Sequence, residues 1–223
     1  ILIMQLAFIS DIHANDYALQ AILDVLVAAD QVVCLGDLTG YYCQPNEVCD
    51  RLRQLGALCL RGNHDHYALT QTPEHVPEAV KWGVDFTRRH LSAVNRTWLE
   101  TLAPQQIANF GGLSALLVHG APWDPLEAYL YADNPRLVEL EGLNYDLVAF
   151  GQTHRVLLKN GRPILLNPGA VGQSRDGAGD VCAAVLDTQT RAVDMIRRHY
   201  DPQPVIDLAR SYGAGDWITK HLV

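Results

Sequence analysis

Five polar motifs in this chain each follow directly on an apolar run. "SDIHAN" comes after Leu6–Ile9 and brings Asp11 and His13. "GD" comes after "QVVCL" and brings Asp37. "RGNHDH" comes after "ALCL" and brings Asn63, His64 and Asp65. His119 follows "SALLV", and "GQTH" follows "DLVAF" with Gln152 and His154. The set mixes carboxylates, imidazoles and amides and holds no thiolate. Such nitrogen and oxygen donors suit Mn, Fe, Zn or Co ahead of Ca, Mg or copper-transfer sites. A carboxylate has two oxygens, so one Asp can bridge two cations. Two cations ~3.5–4 Å apart can activate water and steady the attacking and leaving oxygens of a displacement at phosphorus. Asp11 and His13 are two apart, which on an extended backbone turns both side chains to one face. Gly36 before Asp37 permits a tight turn or a close approach.

These residues need a frame that gathers them. Leu6–Ile9 reads as a strand. Asn15 can cap a helix in which Leu19, Ile22, Leu23 and Leu26 recur at helical spacing. "QVVCLG" is the next strand, "PNEVCDRLRQLG" the next helix, opened by Pro45 and closed by Gly56, and "ALCLRG" the third strand. That β-α-β-α-β order implies parallel strands with ligand groups at their C-terminal ends. Residues from about Pro77 to Leu102 read as mostly helical. Strand-like runs follow: "LSALLVHG", "DLVAFG", "RVLLKN", "RPILLNPG", "VCAAVLD" and "AVDMIRRHY". Asn160-Gly161 is a hairpin signal, and Asp187 to Thr190 joins two alternating runs. The β-rich second half is expected to pack a second sheet on the first. With no internal repeat and no low-complexity linker, residues 1–223 are expected to form a single domain.

Composition narrows the class. The chain has 223 residues, 48% of them hydrophobic, which suffices for one domain with a substantial core. A formal charge of −8 argues against a broad nucleic-acid surface. It leaves room for a small phosphate ester or nucleotide, because a metal centre supplies positive charge locally. Five Cys without a C-x-x-C disfavour a disulfide framework or a structural zinc site and fit a reducing cytoplasm. Cys34, Cys43 and Cys49 read as packing residues. The opening "ILIMQLAFIS" lacks a basic leader and is too short to span a bilayer, and Met4 fits as the natural start. No membrane partner is expected, and homo-oligomerisation is left open.

Together "DIH", "GD", "GNHD", "VHG" and "GQTH" resemble the ordered motifs of the calcineurin-like metallophosphoesterase family. They span Asp11 to His154, about two-thirds of the chain. "VHGAPWDPLEAYL" and "NPGAVGQSRDG" are similar to the small bacterial and archaeal phosphodiesterase branch. The resemblance implies an α/β fold (α+β in some schemes), a four-layer αββα sandwich. It implies Asp11, His13 and His154 on a first divalent metal, Asp37 as the bridge, and Asn63 and His119 on a second. His64 would face the phosphate as general acid or charge stabiliser, oriented by Asp65. A metal-bound hydroxide at this dinuclear site would hydrolyse a phosphodiester. Mn is the first expectation for the metal, with Fe, Zn, Ni, Co or Mg as alternatives.

One letter departs from the pattern, since the family usually carries Gly-His-x-His where this chain has Gln152. Gln can offer an amide oxygen to the second metal, or act from behind it by holding water or His119. Arg175 in "GQSRDG" is a substrate-binding candidate, weighed against a turn salt bridge with Asp176. Each motif alone is as well explained by a turn, a helix cap or a satisfied buried histidine; their joint occurrence carries the reading. Within the enzyme class the alternatives are hydrolysis of dinucleoside polyphosphates and phosphomonoester or phosphoprotein hydrolysis. Outside it stands a binding scaffold on the same fold, as in retromer-type subunits. Substrate selection is expected from the loops His66 to Val80 and Ala121 to Arg136.

Overall fold

The computed structural model describes residues 3–177 and 179–223. Ile1 and Leu2, which open the apolar N-terminal run, lie outside the described residues. In chain order the elements are β1 (Gln5–Ile9), α1 (Asp16–Gln20), α2 (Leu23–Ala28), β2 (Gln31–Cys34), α3 (Pro45–Gln54), β3 (Leu58–Cys59), α4 (Asn63–Leu69), α5 (Glu78–His90) and α6 (Ala93–Thr101). The second half runs β4 (Gln105–Phe110), β5 (Leu113–Val118), α7 (Leu137–Glu141), β6 (Leu147–Ala149), β7 (Val156–Lys159), β8 (Ile164–Pro168), β9 (Asp180–Asp187), β10 (Val193–His199) and α8 (Gln203–Ser211), with a 3₁₀ turn at Asp216–Thr219.

Two mixed sheets result, in the orders β10-β9-β1-β2-β3 and β4-β5-β6-β8-β7. Strands β1, β2 and β3 are parallel, as are β5, β6 and β8, and antiparallel strands complete each sheet. The parallel strands are apolar on both faces because both faces are covered. Leu6, Phe8, Val33 and Leu35 meet Ala115, Leu117, Leu147 and Leu166 between the sheets. Alternating with them, Ala7, Ile9, Val32 and Cys34 turn outward onto Leu19, Val48, Leu52 and Val205 of the helices. On the other side Leu116, Val118, Val148 and Leu165 meet Leu137 and Leu140 of α7. The layers are therefore helix, sheet, sheet, helix, as expected. Among the described residues no helix is long and apolar enough to cross a membrane. The five Cys are free and buried.

Four details differ from the sequence reading. The helix capped by Asn15, whose side chain accepts from Ala18 N, stops at Gln20 and restarts at Leu23. Ala21 and Ile22 bond three residues back, to Ala18 and Leu19, and that tightened turn carries Ile22 into the core. Strand β4 was not read, because "QQIANF" is a polar edge strand whose Ile107 is exposed. Helix α8 was not read either, because Pro202 and Pro204 stand at its start. The "NHD" triplet is the first turn of α4 rather than a free turn.

Candidate metal centre

The loops after β1 and β2 are laced to each other by main chain. Asp11 N donates to Gly36 O (3.0 Å), His13 N to Asp37 O (2.9 Å) and Ala14 N to Leu38 O (2.8 Å). This lacing holds Asp11, His13 and Asp37 in left-handed backbone, with φ of 54°, 54° and 53°. Gln152 and His154 share that region at 68° and 58°. Asp11 and His13 do converge, but not by strand alternation: the chain has left the strand and turned left-handed. Such residues persist only where their surroundings fix them, at about 1–3 kcal/mol each. Tight approach helps to fix them. A Cβ on Gly62 would lie 2.0 Å from Asp37 Oδ1, and one on Gly36 2.7 Å from His119 Nδ1.

The first group of side chains is Asp11, His13, Asp37 and His154, whose ligand atoms lie within 4.8 Å of one another. His13 Nδ1 faces Thr39 O at 3.1 Å and His154 Nδ1 faces Gln173 O at 2.7 Å. A carbonyl only accepts, so each Nδ1 carries the proton and each Nε2 presents a lone pair. Those two Nε2 atoms stand 3.0 Å apart. Asp11 Oδ1 is 3.4 Å from His154 Nε2, and Asp37 Oδ2 is 3.6 Å from His13 Nε2. Neither carboxylate oxygen has a hydrogen-bond partner among the described residues.

A second group meets the other oxygen of Asp37. His119 Nδ1 donates to Leu35 O at 2.8 Å, leaving Nε2 bare. That atom lies 2.9 Å from Gln152 Oε1, 3.3 Å from Asn63 Oδ1 and 3.6 Å from Asp37 Oδ1. Gln152 Nε2 donates to Leu126 O at 2.9 Å, which aims the amide oxygen at His119. In both groups every converging atom is an acceptor and none donates. Buried lone pairs in that arrangement repel unless a cation lies among them. The donor set of imidazole, carboxylate and amide oxygen fits divalent Mn, Fe, Zn or Co.

Charge follows from the burial. Desolvation raises Asp37 well above the ordinary carboxylate value, and Asp11 and Asp65 push the same way. Desolvation raises Asp11 too. It lowers His13 and His154 well below the ordinary imidazole value. His64 is held down at about 3 by burial and by the charges of His119 and Arg175. Its imidazole is therefore neutral near pH 7.

His64 packs its ring 4.6 Å from His13 and 4.8 Å from Tyr41, centroid to centroid. Asp65 does not orient it. The Asp65 carboxylate accepts from Leu38 N (3.2 Å), Thr39 N (2.9 Å), Thr39 Oγ1 (2.8 Å) and Gly62 N (3.0 Å). It thus ties the Asp37 loop to the start of α4, while His64 Nδ1 has no partner among the described residues. The physical reason is position: the third residue of a helix caps backwards, away from its neighbour's ring. Arg175 makes no salt bridge with Asp176, whose carboxylate serves Val156 N and Arg155. Arg175 N instead donates to His154 O at 3.0 Å, and its charge acts on Asp11, His13, His64 and His154.

Three contributors were missed. Thr39 and Tyr41, in the "LTGYY" that follows Asp37, support the His13 and His64 rings. Asn167, buried in "NPG", donates to Gly151 O (2.7 Å) and Thr153 Oγ1 (3.1 Å) and so fixes the "GQTH" loop. An Asn ahead of Pro-Gly at a strand end was the signal for it.

The description "Calcineurin-like phosphoesterase superfamily domain" matches residues 4–191. An uncharacterised protein of Methanocaldococcus jannaschii is 28% identical over 240 residues, covering 97% of this chain and 96% of that one. A metallophosphoesterase from Sphaerobacter thermophilus superposes with a TM-score of 0.82 at 27% identity, covering 99% of this chain and 98% of the other. A hypothetical protein from Pyrococcus horikoshii OT3 shares the fold at a TM-score of 0.85 and 19% identity, over 98% and 97% of the two chains.

Proposed function

The chain belongs to the calcineurin-like phosphoesterase superfamily, and from that premise we propose that it is a metal-dependent phosphodiesterase built as one domain over residues 1–223. Asp11, His13 and His154 would hold one divalent cation and Asn63, His119 and Gln152 a second, with Asp37 offering an oxygen to each. The observation that carries this is the convergence of bare lone pairs on both sides of Asp37, with no donor between them. Mn²⁺ is the first choice for both cations, with Fe, Zn, Ni, Co or Mg as alternatives. When bound, such cations supply Lewis acidity toward phosphoryl oxygens and acidify water, so that attack needs no covalent enzyme intermediate.

The protein's own part is placement. The carbonyls of Leu35, Thr39 and Gln173 fix three imidazole tautomers and so keep three nitrogens available. Neutral His64 offers an N–H to a phosphoryl or leaving oxygen, and Arg175 adds positive charge at the same edge. A diester is favoured over a monoester because the site has a cavity beside it, bounded by Tyr41 and Arg175, with room for a second ester group. Dinucleoside polyphosphates are the next choice by the same reasoning. A scaffold role is disfavoured, because a purely binding surface has no use for buried unpaired carboxylate oxygens. The free thiols fit a cytoplasmic site of action.

The test is hydrolysis of a chromogenic phosphodiester and its matching monoester by metal-stripped protein reloaded with Mn²⁺. Diester turnover should depend on added metal. Asp37→Asn should reduce it by more than the ~10–100-fold typical of groups behind a metal ligand. A monoester preference would move the assignment to a phosphatase. No turnover with verified metal content would sink the hydrolase reading.

A further inference from the structure

A cavity of about 560 Å³ opens beside the candidate centre, within the ~300–1,000 Å³ range of small-molecule sites. Its lining includes Tyr41, Tyr42, Gln173, Arg175, Trp217 and Lys220. Two of these touch the centre's own machinery. The Tyr41 ring lies 4.7 Å from that of His13, and Gln173 O holds His154 Nδ1. A group bound here is therefore continuous with one held at Asp37. The far wall comes from the 3₁₀ turn and the residues after it, beyond the matched segment that ends at residue 191. The two loops expected to select substrate supply only part of the wall: Pro77, Glu78 and Ala79 come from the first, and none of the lining comes from Ala121 to Arg136.

The lining has a definite chemistry. Tyr41 and Trp217 offer aromatic surface, and Trp217 is braced edge-on against Trp82 at 5.4 Å. Gln173 and Glu78 offer hydrogen-bonding edges, while Arg175 and Lys220 outnumber the single carboxylate in an otherwise acidic chain. A polyol would leave the aromatic faces unused. A plain hydrocarbon ring would strand the amide and carboxylate. An aromatic base with polar edges, attached to an anionic ester, uses all three features.

We propose that this cavity is a nucleoside subsite, taking the nucleoside of a phosphodiester whose phosphorus lies at the Asp37 cluster. The proposal rests on the phosphodiesterase reading and adds its substrate class. Trp217 is the specificity-determining residue, with Arg175 toward the anionic side.

Two esters with one leaving group test it: thymidine 5′-(p-nitrophenyl phosphate) and methyl p-nitrophenyl phosphate, with Mn²⁺-loaded protein. The nucleoside ester should be preferred at least about tenfold in kcat/KM, the scale of one stacked base. Trp217→Ala should collapse that preference through KM, and Trp217→Phe should keep most of it. Equal use of both esters, or a Trp217→Ala effect common to both, would overturn the subsite. If neither ester is hydrolysed, the phosphodiesterase reading fails, and calorimetric titration with adenosine 5′-monophosphate decides the subsite separately. Binding weakened about tenfold or more in Trp217→Ala and retained in Trp217→Phe supports it; no binding to the wild type overturns it.

Discussion

Asp37 and Asp146 are both buried carboxylates, 1% and 6% exposed, at opposite ends of parallel strands. Asp146 precedes β6 and is fully provided for. Its carboxylate accepts from Ser114 N (2.9 Å) and Ser114 Oγ (2.8 Å), lies 3.3 Å from Arg162 Nε and pairs with Arg191. Those hydrogen bonds, led by the Ser114 amide, hold it down at about 2. Asp37 follows β2 and receives only His64 N at 2.9 Å among the described residues, with Asp11 and Asp65 for neighbours. It is pushed the opposite way. The two carboxylates thus shift in opposite directions: desolvation deep in the site raises Asp37, while the donors around the shallower Asp146 lower it. One end is completed by protein atoms. The other leaves Asp11 Oδ1 and Asp37 Oδ2 without a hydrogen-bond partner among the described residues.

The largest effect expected from this contrast is on stability after metal stripping. Asp146→Asn should destabilise by about 2 kcal/mol, because it breaks charge-assisted bonds at a buried group, lowering Tm by about 4–8 °C for a chain of this size. Asp37→Asn should instead raise the Tm of stripped protein by about 2–4 °C. It removes a buried charge and places an amide donor among acceptors. Thermal scans check both signs, and similar losses in the two variants would break the comparison.

Opposite pH slopes sharpen it. The Asp146 value in the folded state lies below the ordinary 3.8, so its stabilisation is present above about pH 4 and is lost as pH falls toward about 2. The Asp11 and Asp37 values lie above the ordinary 3.8. In stripped protein their favourable contribution is present below pH 3.8 and is lost as pH rises through the raised values. Urea midpoints from pH 2 to 8 should therefore fall on the acid side in wild type, and fall less in Asp146→Asn. On the neutral side they should fall in stripped protein and recover with Mn²⁺. Stripped wild type whose midpoint climbs steadily to neutrality would contradict the account of the metal end.

The two ends were not equally legible. Asp11, His13, Asp37, Asn63, His119 and His154 announced themselves because each type follows an apolar run, and parallel strands must bring such positions to one edge. Their geometry was hidden. The left-handed turns at Asp11, His13 and Asp37 are held by bonds between loops far apart in sequence, which no local pattern encodes. The resemblance implied that Asp65 orients His64, whereas helix capping sends its carboxylate to Thr39. Asp146 carried no signal at all: its partners Ser114, Arg162 and Arg191 come from three segments far apart in sequence. Trp217 was equally silent, lying forty residues beyond "GQSRDG", the last stretch that carried the resemblance.

Gln152 is where the contrast between the two ends can be tuned rather than broken. Its amide oxygen already stands 2.9 Å from His119 Nε2, held there by the bond from its own nitrogen to Leu126 O. A neutral amide oxygen is a weaker donor to Mn²⁺ or Zn²⁺ than an imidazole nitrogen. Gln152→His should therefore tighten the second metal equivalent by about tenfold, within the ~10–100-fold range of single-group changes around metals, and leave the first nearly unchanged. Residue 152 meets the first group only through its main-chain N–H, which donates to Asp11 Oδ2 at 3.2 Å and is kept by the substitution. Calorimetric titration of stripped protein with Mn²⁺ separates the two equivalents. If both tighten together, Gln152 acts through Asp37 and the groups are one site; if neither moves, the amide oxygen serves the His119 ring and not a cation.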